Sequence, residues 1–323
     1  MDIRIVVPTP GAAENLRAAP YAGEAPGPGE IRVRHQAIGV NFIDVYQRIG
    51  LYRLAAPATP GVEAAGVVEA LGDGVTHLAL GDRVAYAGAP GGAYASTRLL
   101  PATRALALPD AISARDAAAS LLKGLTAHML LNRTFAVGTG DVVLIHAAAG
   151  GLGETLVRWA KRLGARVIGV VGDDLKAAMA RAAGADCVVV GRNADFVAAA
   201  LDYTGGRGVD FAIDGVGGAT LAQTLAAVRK FGVVASIGQT AGPIPPFAVE
   251  ALGPVRSIAL ARPSVMAYSA EPEAYARAAA AVWEAIVGGL SARIGGEYPL
   301  AEAARSHRNL EAGTTSGSLL LVP

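Results

Sequence analysis

A strand, a glycine-rich turn and the start of a helix follow one another at residues 142–163. The apolar run 142–145 indicates a buried strand, and glycine occupies positions 150, 151 and 153. Glycine lets the backbone turn sharply and approach an anion, and the first N–H groups of a helix attract negative charge. The segment therefore predicts a diphosphate site, although Ala148 stands where the dinucleotide-binding fingerprint has its first glycine.

The same strand and helix unit repeats after this turn. Further strands are predicted at 166–171, 186–190, 209–214 and 232–237, alternating with helices at 174–183, 196–203 and 219–229. Such alternation predicts an α/β fold with a doubly wound parallel sheet. Ligands of these sheets bind outside the carboxyl ends of the strands, so we expect the site at the turns that follow them.

The rest of the chain has a different texture. Before residue 124, short β-type runs are punctuated by Gly and Pro, which predicts a β-rich domain, and an apolar helix is expected at 117–131. Beyond residue 256 we expect a strand at 257–260, a helix around 275–287 and a strand at 318–322 that returns to the first domain. The expected domains are therefore residues 1–123 with 262–323, and residues 124–261.

Composition narrows the functional classes. The net charge is +1 and the Lys and Arg residues are dispersed, so neither nucleic acid nor an anionic membrane is an expected partner. The sequence contains no run of about 18 apolar residues, and its first residues indicate a strand rather than a signal peptide. A single cysteine, Cys187, suits a reducing compartment. We expect a cytoplasmic protein that acts on small molecules.

Several separated motifs resemble those of one family. They lie at 41–46, 50–52, 61–66, 122–126, 146–153, 261–264 and 317–320. In this order they resemble the quinone oxidoreductases of the zinc-free medium-chain dehydrogenase/reductase superfamily, the ζ-crystallin-like group. The resemblance spans essentially the whole chain. It implies a GroES-like catalytic domain formed by both chain ends, a Rossmann domain, a cleft that holds NADPH, and a homodimer paired near residues 257–260.

Zinc is the first question that the resemblance raises. Relatives with a catalytic zinc carry Gly-His-Glu where this chain has Gly61, Val62 and Glu63, and one cysteine cannot form a thiolate cage. No two of the five histidines are close enough in sequence to form a ligand pair. We therefore expect no metal, and hydride transfer to an electron-poor acceptor rather than alcohol oxidation.

Three functions stay open at this point. The resemblance implies an NADPH-dependent quinone reductase, and an alkenal/enone double-bond reductase is the alternative within enzymes. Proteins of the ζ-crystallin-like group also serve as RNA-binding proteins that retain the nucleotide site. That role needs a basic surface, which the balanced charge does not indicate.

The expected catalytic residues come from the resemblance. Asn41, Tyr46 and Tyr52 match family positions that face the nicotinamide and the substrate, and each can donate a hydrogen bond to a developing oxyanion. Tyr46 or Tyr52 is the preferred proton donor, with simple packing of both rings as the alternative. Asp44 and Glu63 are expected to be structural and to bond backbone.

The cofactor residues follow from the turns and from the resemblance. An NAD-specific Rossmann domain usually ends its second strand with an acidic residue, whereas this chain has Val171 and Gly172. Lys176 matches the family lysine that neutralises the 2′-phosphate, so NADPH is expected over NADH, although Asp173 and Gly191 depart from the family pattern. The expected cofactor-binding residues are Lys123, Ala149, Gly150, Gly151, Leu152, Gly153, Gly172, Asp173, Lys176, Gly215, Gly238, Gln239 and Arg262.

Overall fold

The structure, a computed structural model, describes residues 1–54 and 58–323. It divides into two compact units, which we call the β-rich unit, residues 1–125 and 265–323, and the parallel-sheet unit, residues 126–264. The sequence placed these boundaries after residues 123 and 261. The predicted α/β class, a β-rich part together with a doubly wound parallel sheet, is confirmed.

The strands of the described residues are β1 (Ile3–Val6), β2 (Arg17–Pro20), β3 (Glu30–Val40), β4 (Glu63–Leu71), β5 (Arg83–Ala87), β6 (Thr97–Pro101), β7 (Leu106–Ala107), β8 (Val142–His146), β9 (Arg166–Val171), β10 (Cys187–Val190), β11 (Val209–Asp214), β12 (Val228–Ser236), β13 (Ala259–Ala261), β14 (Ile294–Pro299) and β15 (Ser318–Val322). The α-helices are α1 (Phe42–Arg48), α2 (Ala114–His128), α3 (Gly151–Arg162), α4 (Asp174–Ala182), α5 (Phe196–Tyr203), α6 (Thr220–Ala227), α7 (Val265–Ala270), α8 (Pro272–Ala285) and α9 (Ala303–Glu311). In the part of the chain that is described, none of the helices has both the length and the apolar character that a membrane crossing requires.

A parallel sheet of six strands organises residues 126–264, all of which are described. Its order is β10-β9-β8-β11-β12-β13, so the direction of strand addition reverses between β8 and β11. The residues Val142 to Ile145 of β8 are all 0% exposed, as expected for a central strand covered on both faces. Because the strands are parallel, the turns that follow β8, β9, β11 and β12 lie along one edge, where such a sheet binds its ligand.

Strand pairing decides two boundaries that periodicity alone misplaced. The helix expected at 219–229 ends at Ala227, because Val228 already pairs with Val209 at the start of β12. The pairing of β11 with β12 then shifts register before Phe211, and Phe231 adopts a left-handed φ of 59°. Pairing with β11 therefore places residues 228 and 229, which the apolar pattern assigned to the helix, in the strand β12 instead.

The main sheet of the β-rich unit has the order β14-β15-β3-β4-β5-β7, and β6 also pairs with β3. In β3 the buried residues Ile31 and Val33 alternate with more exposed neighbours, the pattern of a strand with one face on the core. Leu319 of β15 pairs with Val40 of β3, so the last strand completes a sheet begun near the start of the chain. The sequence correctly predicted this return.

Candidate functional site

The glycine turn after β8 forms the N-terminus of α3, as the sequence predicted. Gly150 is the N-cap residue with φ −77° and ψ 170°, and its N–H donates to the carbonyl of Ala147 at 2.9 Å. The left-handed residue of the turn is Ala147, with φ 51°, rather than a glycine. The first N–H groups of a helix have no acceptor within the helix, so Gly151, Leu152 and Gly153 present donors of the kind that bind a diphosphate.

Gly153 is required by close packing rather than by its backbone angles. A Cβ atom here would lie 2.8 Å from the carbonyl carbon of Ala147 and 2.9 Å from Cα of Ala148, and closer still to the carbonyl oxygen of Ala147. These are backbone atoms, which cannot rotate away. The absent side chain lets α3 begin directly against the end of β8, next to Ala149, which is 2% exposed.

A buried polar group fixes the neighbouring loop after β11. Asp214 accepts the N–H groups of Val216 and Gly217 on Oδ1, at 2.8 and 2.9 Å, and the hydroxyl of Thr224 on Oδ2 at 3.1 Å. Nε2 of His146 lies 2.9 Å from the same hydroxyl, and burial lowers the pKa of this imidazole, a shift that the charge of Asp214 opposes. The loop after β11 and the end of β8 are therefore joined by side chains that neither turn motif indicated.

The remaining turns carry the other expected residues of this unit. The backbones at Gly215 and Gly238 lie in close contact. A Cβ on Gly238 would lie 2.6 Å from the carbonyl oxygen of Gly215. Gln239 follows directly after Gly238. Arg262 follows β13, and its Nη1 donates to the hydroxyl of Ser236 at 2.8 Å, at the carboxyl end of β12. The structure thus places these residues along the edge of the sheet where strands β11 to β13 end.

The end of β9 has no acidic residue and two cations nearby. Val171 ends the strand and Gly172 follows it, and Asp173 then caps α4 by accepting the N–H of Lys176 at 2.9 Å. Nζ of Lys176 lies 3.5 Å from Oδ2 of Asp173, and a Cβ on Gly172 would lie 3.9 Å from Cγ of Arg192. The bond from the Lys176 N–H and the charges of both cations lower the pKa of Asp173. The sequence analysis did not identify Arg192, although a cation shortly after β10, the third strand of the parallel sheet along the chain, could have indicated it.

In the β-rich unit, a buried ion pair lies beside Asn41. Nζ of Lys123 contacts Oε1 of Glu63 at 3.1 Å and donates to Oδ1 of Asn41 at 2.9 Å. The Asn41 amide donates in turn to Oε1 of Glu63 at 2.7 Å, and the N–H of Leu122 donates to Oε2 at 2.7 Å. The side chains of Glu63 and Lys123 are 0% and 8% exposed. Lys123 is thus held by a carboxylate, an interaction that the sequence reading, which assigned it to the cofactor, did not include.

A glycine on the neighbouring strand makes room for this pair. A Cβ on Gly39 of β3 would overlap Oε1 of Glu63 and the carbonyl oxygen of Ala118. The Glu63 carboxylate therefore occupies the space of an absent side chain, and burial without these partners would be costly. The sequence contained no pattern that linked Gly39 to Glu63.

Asn41 is the N-cap residue of α1, and a hydrogen bond to Asp44 fixes its backbone in that position. The N–H of Asn41 donates to Oδ2 of Asp44 at 2.8 Å, and the N–H of Asp44 donates to the backbone carbonyl of Asn41 at 3.0 Å. Asp44 is 0% exposed, and burial raises its pKa to about 7 against the opposing bonds from Asn41 and Tyr94. Both carboxylates, Asp44 and Glu63, accept from backbone, in agreement with the structural role expected for them.

The two candidate tyrosines stand edge to face. Their ring centroids are 5.6 Å apart at an interplanar angle of 89°, and the N–H of Tyr52 donates to the carbonyl of Tyr46 at 3.1 Å. Tyr46 is 8% exposed, whereas Tyr52 is 45% exposed. The structure therefore brings Tyr46 and Tyr52 together on and after α1, in the element that Asn41 begins. Of the two, Tyr52 has the more accessible side chain.

Comparison with known protein families matches both parts of the chain. Residues 27–110 match the family described as an alcohol dehydrogenase GroES-like domain, and residues 151–282 match the family described as a zinc-binding dehydrogenase. Among residues 1–54 and 58–323, no group of three or more His, Cys, Asp or Glu side chains is placed to hold a metal ion.

Named relatives cover the chain from end to end. Quinone oxidoreductase 1 of Escherichia coli K12 is 39% identical over 327 residues, covering 100% of both chains, and a 2-haloacrylate reductase of a Burkholderia species is 37% identical over 331 residues, covering 100% of this chain and 99% of the relative. The crystal structure of E. coli quinone oxidoreductase complexed with NADPH matches with a TM-score of 0.96 at 39% identity, covering 99% of this chain and 100% of that one. The chain belongs to the quinone oxidoreductase family of the medium-chain dehydrogenases/reductases, a family of oxidoreductase enzymes.

Proposed function

We propose that this protein is an NADPH-dependent quinone oxidoreductase that needs no metal ion. The observation that carries the proposal is the match from end to end, at 39% identity over both units, to enzymes named for this activity. NADPH, when bound, supplies a hydride, and the reduced acceptor then takes up a proton from a donor or from water. The residues of this protein bind NADPH, orient the acceptor and stabilise the negative charge that develops on it.

Two features of the parallel-sheet unit support NADPH as the cofactor. Because Gly153 has no side chain, α3 can begin close to the end of β8. The N-terminus of α3 offers N–H donors to a diphosphate. At the end of β9, the carboxylate that grips an NAD ribose is replaced by Val171 and Gly172. Lys176 and Arg192 supply positive charge near this point. Both features favour a 2′-phosphate, so NADPH is the proposed cofactor over NADH.

In the β-rich unit we assign acceptor binding to Asn41, Tyr46 and Tyr52. Asn41 is oriented by Asp44, Glu63 and Lys123, and the second N–H of its amide, beyond the one donated to Glu63, can donate to a carbonyl oxygen that gains negative charge. Tyr52 is the preferred proton donor, because its side chain is the more exposed of the two tyrosines. Lys123 fixes the Asn41 amide by donating to its Oδ1 at 2.9 Å, so the amide nitrogen, not the oxygen, is the group that can donate to the acceptor.

The donor set of this region supports chemistry without zinc. A catalytic zinc in this superfamily uses thiolate, imidazole and carboxylate ligands, whereas the sequence contains a single cysteine, Cys187, on β10. The Glu63 carboxylate, which follows Gly61 and Val62 in place of the Gly-His-Glu motif, is already neutralised by Lys123. A quinone needs no Lewis acid to accept a hydride, since it is electron-poor before it binds.

An enone or alkenal reductase is the second candidate function. The observation that favours it is the 2-haloacrylate reductase relative, at 37% identity over the whole chain. A conjugated double bond also accepts hydride without a metal, and its oxyanion would use the same Asn41 and Tyr52 donors. The two candidates differ in the acceptor and share the cofactor.

The test is an acceptor panel with purified protein. NADPH oxidation is followed with 1,4-quinones and with 2-alkenals, in the presence and absence of a chelator, and NADH is compared at equal concentration. We expect turnover with quinones that the chelator leaves unchanged. Tyr52→Phe should lower kcat by 10-fold or more, typical of a lost acid or oxyanion donor, with little change in the KM for NADPH. Turnover with alkenals alone would replace quinone reduction by the second candidate, and no turnover with either would refute both.

We also propose a homodimer that pairs through β13, in the cytoplasm. Within the described parallel sheet β13 is an edge strand, and Phe231, Val249 and Val255 are 76%, 73% and 76% exposed in the segments before it. Exposed apolar side chains next to an edge strand are typical of a sheet that continues into a partner. Sedimentation of wild type against Phe231→Lys tests the dimer.

The cytoplasm is proposed because Cys187, the single cysteine of the sequence, cannot form an intramolecular disulfide.

A further inference from the structure

A chain of buried polar groups continues from Asn41 into the core of the β-rich unit. Oδ2 of Asp44 lies 3.0 Å from the hydroxyl of Tyr94, which lies 3.0 Å from Nε2 of His307. Nδ1 of His307 lies 3.5 Å from Nη1 of Arg48, a guanidinium that is 2% exposed. Asp44, Tyr94 and His307 are each 0% exposed.

Each hydrogen bond in this series is donated in the same direction, from Arg48 towards Asp44. Arginine can only donate, so Nδ1 of His307 must accept and the ring proton lies on Nε2. Burial lowers the pKa of His307 to about 3, so the ring is neutral near pH 7 and Nε2–H donates to Tyr94. The hydroxyl of Tyr94 has one proton, which is then directed to Oδ2 of Asp44. Arg48 itself donates to both carboxylate oxygens of Glu311 at 2.7 Å, so the series of directed bonds runs from this ion pair to the carboxylate of Asp44.

Asp44 accepts on one oxygen only. Oδ2 receives the Tyr94 hydroxyl and the Asn41 N–H, whereas Oδ1 is buried and has no hydrogen-bond partner among the described residues. The ionised form of Asp44 thus depends on two bonds, and burial opposes it by raising the pKa to about 7. The titratable and charged groups that face Asp44 directly or through this chain are Tyr94, Glu63, Lys123, His307, Arg48 and Glu311.

We propose that Tyr94 and His307 are positioning residues for the reaction, because their directed hydrogen bonds keep Asp44 an acceptor and Asp44 in that state fixes Asn41. This inference rests on the proposed function. When Asp44 is ionised, it holds the Asn41 N–H at the start of α1, and the Asn41 amide is then aligned by Lys123 and Glu63. Protonation of Asp44 weakens that anchor, so the orientation of the Asn41 amide becomes linked to pH.

The chain offers a matched control. Tyr86 is also fully buried in the same unit, and its hydroxyl lies 2.9 Å from Nε2 of His35. Nδ1 of His35 contacts the carbonyl of Ala95 at 2.7 Å, and among residues 1–54 and 58–323 no hydrogen bond joins this tyrosine and histidine pair to Asp44. Tyr86→Phe therefore removes the same atom from an equally buried site, and it preserves the anchor of Asn41.

The experiment is the pH dependence of kcat between pH 5.5 and 9 for NADPH with a 1,4-naphthoquinone. In the wild type, kcat should rise through pH 7 as Asp44 ionises. Tyr94→Phe removes a donor to the carboxylate, so the midpoint should move upward by about one pH unit, and His307→Leu should move it in the same direction by less. Asp44→Asn should flatten the rise, and Tyr86→Phe should leave the midpoint in place.

Each outcome has a defined meaning. A wild type that oxidises no NADPH with quinones refutes the proposed function, and the ¹³C carboxyl resonance of Asp44 then still reports whether Tyr94→Phe raises its midpoint. An active wild type whose midpoint equals that of Tyr94→Phe overturns the positioning role. An equal shift in Tyr94→Phe and Tyr86→Phe also overturns it, because a general loss of packing would then explain both. Thermal melts of every variant confirm that the proteins compared are folded.

Discussion

The substitution Gly153→Ala tests the close approach of α3 to the end of β8. The new methyl group would overlap the carbonyl oxygen of Ala147 and lie 2.8 Å from its carbonyl carbon, whereas ordinary contacts begin near 3.4 Å, so relief of the second contact alone requires a movement of about 0.6 Å (3.4 − 2.8). Moving a packed helix against backbone costs about 3 kcal/mol, and alanine returns about 1 kcal/mol through its helix propensity. We expect Gly153→Ala to lower the free energy of unfolding by about 2 kcal/mol.

Gly150→Ala is the matched control on the same turn. Its φ of −77° suits alanine, and the nearest atom to the new Cβ, the carbonyl oxygen of Ala147, is 3.3 Å away. Stability should change by less than about 0.5 kcal/mol, because the weaker helix cap and the smaller entropy of the unfolded chain nearly cancel. A methyl group at the helix N-terminus nevertheless obstructs a diphosphate, so NADPH affinity should fall by about 10-fold or more.

Tryptophan fluorescence during urea unfolding provides the assay. Trp159 lies on α3 and is 9% exposed, and Trp283, the second tryptophan of the sequence, can be replaced by Phe so that the signal comes from α3 alone. NADPH binding is measured on the same variants by titration. If Gly153→Ala unfolds at the wild-type urea midpoint, the close approach is wrong. If Gly150→Ala binds NADPH as the wild type does, the diphosphate does not lie at this turn.

Three further predictions follow from buried or paired charges. Glu63→Gln leaves the Lys123 ammonium buried without its counter-ion and should lower the free energy of unfolding by about 3–5 kcal/mol, and adding Lys123→Met should restore much of that loss in chemical denaturation. His307 has a folded pKa of about 3, below its ordinary value of 6.5, so its contribution to stability is complete above pH 6.5 and is lost as pH falls towards 3. Between pH 6.5 and 5, the wild type should lose about 2 kcal/mol more than His307→Gln, and parallel pH dependences would contradict the buried neutral ring. Lys176→Ala and Arg192→Ala should each raise the Kd for NADPH by about 10-fold and leave that for NADH nearly unchanged, which titration with both nucleotides measures.

Local patterns predicted much of the parallel-sheet unit because its elements are consecutive. The buried run of β8 and the helix start at Gly151 are properties of neighbouring residues, and the structure places both as expected. The left-handed φ of Ala147 was not predicted, because it is imposed by the packing of α3 against β8 rather than by a glycine. The end of α6 was misplaced for a related reason, since Val228 pairs with a strand.

The β-rich unit contains the interactions that no local pattern reveals. Glu63 and Lys123 are 60 positions apart, and Arg48 and His307 are 259 apart, so only the fold brings each pair together. The motif at 41–46 predicted the importance of Asn41 through the family resemblance. It did not predict that Asp44 would connect Asn41 to Tyr94, because Tyr94 lies in a segment with no recognisable motif.

The pairing of β15 with β3 has a consequence for synthesis. Leu319 pairs with Val40, so residues 38–40 of β3 meet this neighbour only after residue 319 has been synthesised, whereas residues 30–34 of β3 pair with the earlier strand β6. Residues 126–264 form a sheet from strands that are consecutive in the sequence, so this sheet can fold during translation. Until β15 is made, the part of β3 that pairs with it keeps unpaired N–H and C=O groups. Chaperone engagement should therefore be higher for nascent chains that stop just before residue 318 than for chains that also contain Ser318–Val322.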